Sequence, residues 1–174
     1  MSQVCRVYVA KREENAVEAK SVRHQLRHQL DMKQVEKVTI INRYDLQGLS
    51  EEVLQKGINT ILSEPMVDNV YLEDYPHQEG EVIAIEYLPG QYDVRADFAA
   101  QCFQLLTEEK GVKVKCARLY IIEGITKEDV PAIENFLINP VDSRLASLEK
   151  PETLEDKAIE IKDVPVIEDR KSVV

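Results

Sequence analysis

Residues 4–10, VCRVYVA, alternate in polarity. Cys5, Val7 and Val9 fall on one side and Arg6 and Tyr8 on the other, the period of a β-strand. After the polar break KREEN, VEAKSVRHQLRHQL (17–30) sets Ala19, Val22, Leu26 and Leu30 on one helical stripe. VTIIN (38–42) predicts a second strand. GLSEEV (48–53) then opens a second helix, with Ser50 as its N-cap and Glu51 and Glu52 in the first turn. That helix carries Val53, Leu54, Ile58, Ile61 and Leu62 on one face and must stop before Pro65. NVYLE (69–73) predicts a closing strand.

About 76 residues further on the same order returns. EVIAIEY (81–87) answers the first strand and LPGQYD the break after it. VRADFAAQCFQLL (94–106) repeats the stripe with Ala96, Ala99, Phe103 and Leu106. KCARLYII (115–122) answers the second strand. GITKED (124–129) leads into Val130, Ile133, Phe136 and Leu137. Pro131 would clash inside a helix capped at Thr126, so this helix is expected to start near Asp129. RLASLE (144–149) closes the copy. The phrases LSEPMVDNVYL (62–72) and LINPVDSRLASL (137–148) share a helix end, a polar residue, Pro and a Val-Asp pair.

The expected fold is therefore α+β: two tandem β-α-β-α-β repeats, residues 1–74 and 81–149, joined by a linker at 75–80. A unit of about 70 residues buries only about 60% of its chain surface. Each repeat also carries helices whose apolar stripes need cover, so the two are expected to pack about a pseudo-twofold axis. Residues 150–174 hold two prolines and dense charge without clear periodicity, and read as an extended linker.

Net charge is −10, from 22 basic and 32 acidic residues, which argues against nucleic-acid binding. No stretch reaches the length of a membrane span, and the start MSQVCRVYVAKREEN has no signal-peptide pattern. Cys5, Cys102 and Cys116 are widely spaced and odd in number, which fits a reducing cytoplasm. No phosphate-binding glycine motif is present. His24 and His28 have the i, i+4 spacing of a metal pair, yet point away from the apolar stripe and read as a solvated face. His77 sits in the linker. The residues thus predict no catalytic, cofactor-binding or metal-ligating set.

RVYV (6–9), INRYDLQGLSEE (41–52), EPMVDNVY (64–71), EYLPGQYDVRADFAAQC (86–102) and INPVDSRLASLEKPETL (138–154) carry a resemblance. They resemble the small S subunit of the phosphoribosylformylglycinamidine synthase family. In duplicate, they resemble the fused S-like pair at the N-terminus of its clostridial-type long form. The resemblance spans residues 4–154. It implies an antiparallel or mixed sheet with helices on one face, where alternating β and α would otherwise suggest parallel strands.

It also implies the parent reaction, a ligase step of purine biosynthesis. Formylglycinamide ribonucleotide, glutamine and ATP give the amidine, glutamate, ADP and phosphate. ATP and magnesium are implied for the parent enzyme only, in synthetase and glutaminase domains beyond this chain. The chain itself is expected to be inactive, cytoplasmic, free of nucleic acid and membrane, and partnered by those two domains. A free-standing ferredoxin-like regulatory or ligand-binding domain is the alternative.

Two stretches are candidates for inter-domain docking. In LPGQYDVRAD (88–97), Pro89 and Gly90 suggest a tight turn; Gln91, Tyr92, Asp93, Arg95 and Asp97 bring polar groups to a helix start. In INRYDLQGLS (41–50), Arg43 and Tyr44 follow the predicted strand on a polar connection.

Overall fold

The computed structural model describes residues 3–155 apart from His77 and Glu109, so the expected linker falls outside the described residues from 156 onward. The first half runs β1 (Cys5–Lys11), a 3-10 turn (Glu13–Asn15), α1 (Val17–Gln29), β2 (Lys37–Gln47), α2 (Glu51–Gly57) and β3 (Asp68–Leu72). α2 continues into a π-helical turn, Ile58–Leu62, that ends as the Ser63 hydroxyl donates to the Ile58 carbonyl at 2.6 Å. The second half runs β4 (Glu81–Tyr87), α3 (Val94–Thr107), β5 (Lys113–Glu123), α4 (Val130–Leu137) and β6 (Ser143–Leu145).

The strands form one open six-stranded sheet in the order β3-β1-β2-β5-β4-β6, every neighbour antiparallel. The halves meet along β2 and β5, which pair from Lys37↔Glu123 to Gln47↔Lys113. Strand alternation sorts side chains onto two faces. Val7, Val9, Tyr44, Leu46, Ile83, Tyr120 and Ile122 point to the face that all four helices cover. Arg6, Tyr8, Ile41, Arg43, Asp45, Ala84, Leu119 and Ile121 point to the underside.

Two cores lie on the helical face, and each mixes the halves. Ala99 and Phe103 of α3 share a core with Leu54, Ile58 and Leu62 and with Val7 and Val9 of β1. Ala19, Val22 and Leu26 of α1 share the other with Ile83, Ile122 and Ile133 of the second half. Each long helix thus packs on the second strand of its own half and also reaches strands of the opposite half. The predicted stripes face inward except Leu106, which is exposed; Leu30, Val53, Ile61, Val130, Phe136 and Leu137 are partly buried at the margins of the cores.

Boundaries differ from the sequence reading in instructive ways. β2 continues through Arg43, Asp45 and Gln47 to eleven residues, because those side chains find partners under the sheet. α4 begins at Val130, with Pro131 in its first turn; the Asp129 carboxylate accepts the Thr126 N–H at 2.9 Å just ahead of it. β6 spans only three residues, since the chain leaves the edge after the Ala146 N–H donates to the Ala84 carbonyl at 2.8 Å.

The shared Pro phrase is also shifted. The N–H groups of Val67 and Asp68 both donate to the Glu64 carbonyl, at 3.0 and 2.9 Å, and those of Asp142 and Ser143 donate to Asn139 at the same distances. The Asp68 carboxylate accepts the Glu64 N–H at 2.7 Å, and the Ser143 hydroxyl accepts the Asn139 N–H at 3.2 Å. The structural counterpart of Asp68 is therefore Ser143, and the two Val-Asp pairs are one residue out of step. Either oxygen closes the turn, so the sequence identity misleads.

Candidate functional site

The stretch 88–97 joins β4 to α3. The Gln91 N–H donates to the Leu88 carbonyl at 3.0 Å, and Gly90 sits at φ +87°, a left-handed position that favours glycine. The Asp93 carboxylate caps α3 by accepting from the N–H groups of Arg95 and Ala96, at 3.0 and 3.1 Å. The Tyr92 hydroxyl donates to Asp97 at 2.8 Å, and that bond pushes the Tyr92 pKa up. Pro89, Gly90, Gln91 and Tyr92 are exposed at the tip, with Val94 and Phe98 beside them at 65% and 61% exposure.

Arg43 and Tyr44 do not join that surface. They lie inside β2 rather than after it, on opposite faces, and both are buried. Tyr44 packs into the helix-side core, where burial pushes its pKa up to about 12. Arg43 points underneath and donates to the Ser147 carbonyl at 2.7 Å.

Arg43 belongs to a group the sequence reading missed. Arg6 holds Asp45 through two bonds of 2.7 and 2.9 Å, with both residues buried. Asp45 keeps Arg6 charged despite the opposing effect of burial, whereas burial and the neighbouring Arg6 lower the Arg43 pKa. Arg6 also donates to the carbonyls of Leu148 and Glu149, at 2.9 and 3.2 Å. Lys150 meets Glu73 at 2.6 Å, and the buried Leu154 donates its N–H to Gln47 at 2.8 Å. Residues 146–154 therefore cross the underside from β4 to β1 and return to the end of β2. The alternation Ile41/Arg43/Asp45/Gln47 was the available signal.

A second polar group bridges the halves on the helical face. Arg118 of β5 donates to Glu18 of α1 at 2.6 Å, and Arg95 of α3 donates to Asn42 of β2. Arg118 holds the Glu18 carboxyl below its ordinary pKa. Beside this group a hollow of 670 Å³ opens between α3, the end of β4 and the turn after α4. Tyr87, Val94, Arg95, Phe98 and Arg118 line it, with Cys116 on its floor. Burial, with Asp93 adding, pushes the Cys116 thiol up, which suits a core filler and not a nucleophile.

His24 and His28 stack at 4.2 Å on the exposed side of α1. Among the described residues no group of three or more His, Cys, Asp or Glu is placed to hold a metal ion. No described helix is long and apolar enough to cross a membrane. No protein-family model matches the chain, and no curated protein matches it.

Proposed function

We propose that this chain is a non-catalytic assembly domain: the S-subunit-like N-terminal part of long-form phosphoribosylformylglycinamidine synthase. In this reading residues 1–74 and 81–149 are the two S-like repeats, 75–80 joins them, and 150–174 leads toward the synthetase domains. It works in the cytoplasm and holds the glutaminase and synthetase regions in register, so that ammonia passes between them. ATP and magnesium serve those regions.

The observation that carries the reading is the central ladder. β2 and β5 are each eleven residues long, and Asn42 faces Arg118, the two residues that the repeat spacing equates. A twofold axis through that pair would exchange β1 with β4 and β3 with β6, matching the strand order outward from the centre. It would also exchange Cys5↔Leu46 with Glu81↔Ile122, and Gly48 with Gly124, both at φ +89°. The Glu18–Arg118 bond would fall on the Arg95–Asn42 bond. Such a pattern suits two copies of a dimer-forming unit fused into one chain. The exposed tip around Pro89–Tyr92 supports docking onto neighbouring domains.

The test uses separately prepared synthetase and glutaminase chains of this enzyme. Adding this chain should confer glutamine-supported amidine formation while leaving ammonia-supported formation unchanged. Glutamine-supported turnover at full rate without it, or failure to bind either partner, would sink the proposal.

A further inference from the structure

We infer that the hollow beside α3 binds a small anion with a flat or apolar body, its phosphate or carboxylate head held by Arg95 and Arg118. The inference stands apart from the assembly reading and rests on which polar groups in the hollow remain unsatisfied.

The acceptors are already engaged. Asp93 takes the N–H groups of Arg95 and Ala96. Asn139 accepts the Val141 N–H through its side chain at 3.2 Å, and the Ser143 hydroxyl both accepts from and donates to Asn139. Glu86 is paired with Arg144 at 2.8 Å, and Glu18 with Arg118 at 2.6 Å. Of the lining carboxylates, only Asp142 has no side-chain partner among the bonds described; it is half-buried at the turn after α4, so an anion must be held on the arginine side of the hollow.

The donors are in the opposite state. The Nε of Arg118 is buried without a hydrogen-bond partner, while one arm of the same guanidinium reaches Glu18. Arg95 spends one nitrogen on Asn42. Guanidinium groups offer planar forks that match the paired oxygens of a phosphate or carboxylate. A buried donor without a partner is costly, and an oxyanion would remove that cost once the Arg118 side chain turned its Nε toward the hollow. The walls suit the rest of such a ligand: Tyr87 and Phe98 are 49% and 61% exposed as they stand.

The matching place in the first half shows what a filled version looks like. There the hollow is 320 Å³, and Lys11 meets Asp68 across it at 3.0 Å. Tyr87 and Ser143 stand at those two positions in the second half, and Arg118 replaces Asn42. The place in the second half lacks that ion pair, has about twice the space and carries an arginine.

The experiment follows the arginine side-chain N–H and Phe98 ring resonances of the whole 174-residue chain. Adenosine monophosphate, benzoate and inorganic phosphate are titrated separately. Adenosine monophosphate or benzoate should shift the Arg118 and Phe98 signals saturably, with a dissociation constant of about 1 mM or tighter. Arg118→Gln should weaken that binding about tenfold or more, the weight of one charge-assisted hydrogen bond. Phe98→Ser, at an exposed position that leaves the core intact, should weaken both organic anions and leave phosphate unchanged. Response to the nucleotide alone identifies a phosphate head, and to benzoate alone a carboxylate head. No saturable shift with any probe overturns the inference, as does unchanged affinity in a folded Arg118→Gln chain. Equal binding of phosphate and both organic anions overturns the role given to the aromatic walls.

Discussion

Two places on the underside of the sheet, the second cross-strand pair of β1 with β2 and that of β4 with β5, are built from opposite materials. In the first half the second cross-strand pair of β1 and β2 is Arg6↔Asp45, a buried ion pair. In the second half the same pair of β4 and β5 is Val82↔Ile121, and Arg43 gives way to Leu119. The strand geometry is served equally by both, so the ion pair is not what makes the sheet. Its surplus donors, however, hold the carbonyls of Leu148 and Glu149. Aliphatic side chains could not do that. The polar half is where the chain fastens its own returning segment.

Breaking this contrast gives the largest expected effect. Asp45→Ala leaves Arg6 buried without its carboxylate and should cost about 3–5 kcal/mol in urea unfolding. The double change Arg6→Val with Asp45→Ile, which copies the second half, should recover most of that loss. It should also free residues 147–154, seen as faster amide exchange at Leu154. A double variant as unstable as the single one would show that the pair supports the sheet itself.

The helical face offers a parallel contrast in volume. Phe103 of α3 lies over Gly57, where an added Cβ would stand 2.0 Å from the ring. The other core on this face holds Leu26 and Ile133, both fully buried, instead of an aromatic ring over a glycine. Phe103→Ala should cost about 3–5 kcal/mol. Gly57→Ala should cost about 1–3 kcal/mol through overpacking, less the gain in helix propensity of up to about 1 kcal/mol. In the Gly57→Ala background, Phe103→Leu should cost less than it does alone, by equilibrium unfolding of all four chains. Additive costs would mean that the ring and the glycine do not share space.

The smallest effect lies at the bridge between halves. Arg118 lowers the Glu18 pKa, so the pair stabilises the fold above the unfolded carboxyl value of about 4.3. That contribution is lost as pH falls through the lower folded value. Glu18 is 60% exposed, and solvent screening limits the contribution to about 0.2–1 kcal/mol. The stability gap between the natural chain and Glu18→Gln should therefore be present at pH 7 and shrink toward zero in acid. A gap that widened in acid would reverse the sign of the interaction.

Much of this architecture was legible because burial follows period. Ala19, Val22 and Leu26, and likewise Ala96, Ala99 and Phe103, lie buried on the predicted faces. Pro131 marked the start of α4 correctly for a steric reason. The polar underside was less legible. NRYDLQ looks like a connection when read for composition, and its role as strand depends on residues 147–154, about a hundred positions away. For the same reason Arg43 and Tyr44 looked like a surface pair. The tip at 88–97 was legible in local chemistry, since an Asp cap and its helix are neighbours in sequence. Arg118 was not, because Glu18, its partner, comes from the other half.

The sharing of each long helix's core with the other half carries a consequence for synthesis. Until β5 leaves the ribosome, β2 presents an unpaired edge eleven residues long, and α1 has β2 but lacks the second-half strands that complete its core. At translation speeds of about 5–20 residues per second, that wait lasts several seconds. A nascent chain of this design spends the interval adhesive and unfinished, and chaperone dependence should concentrate there.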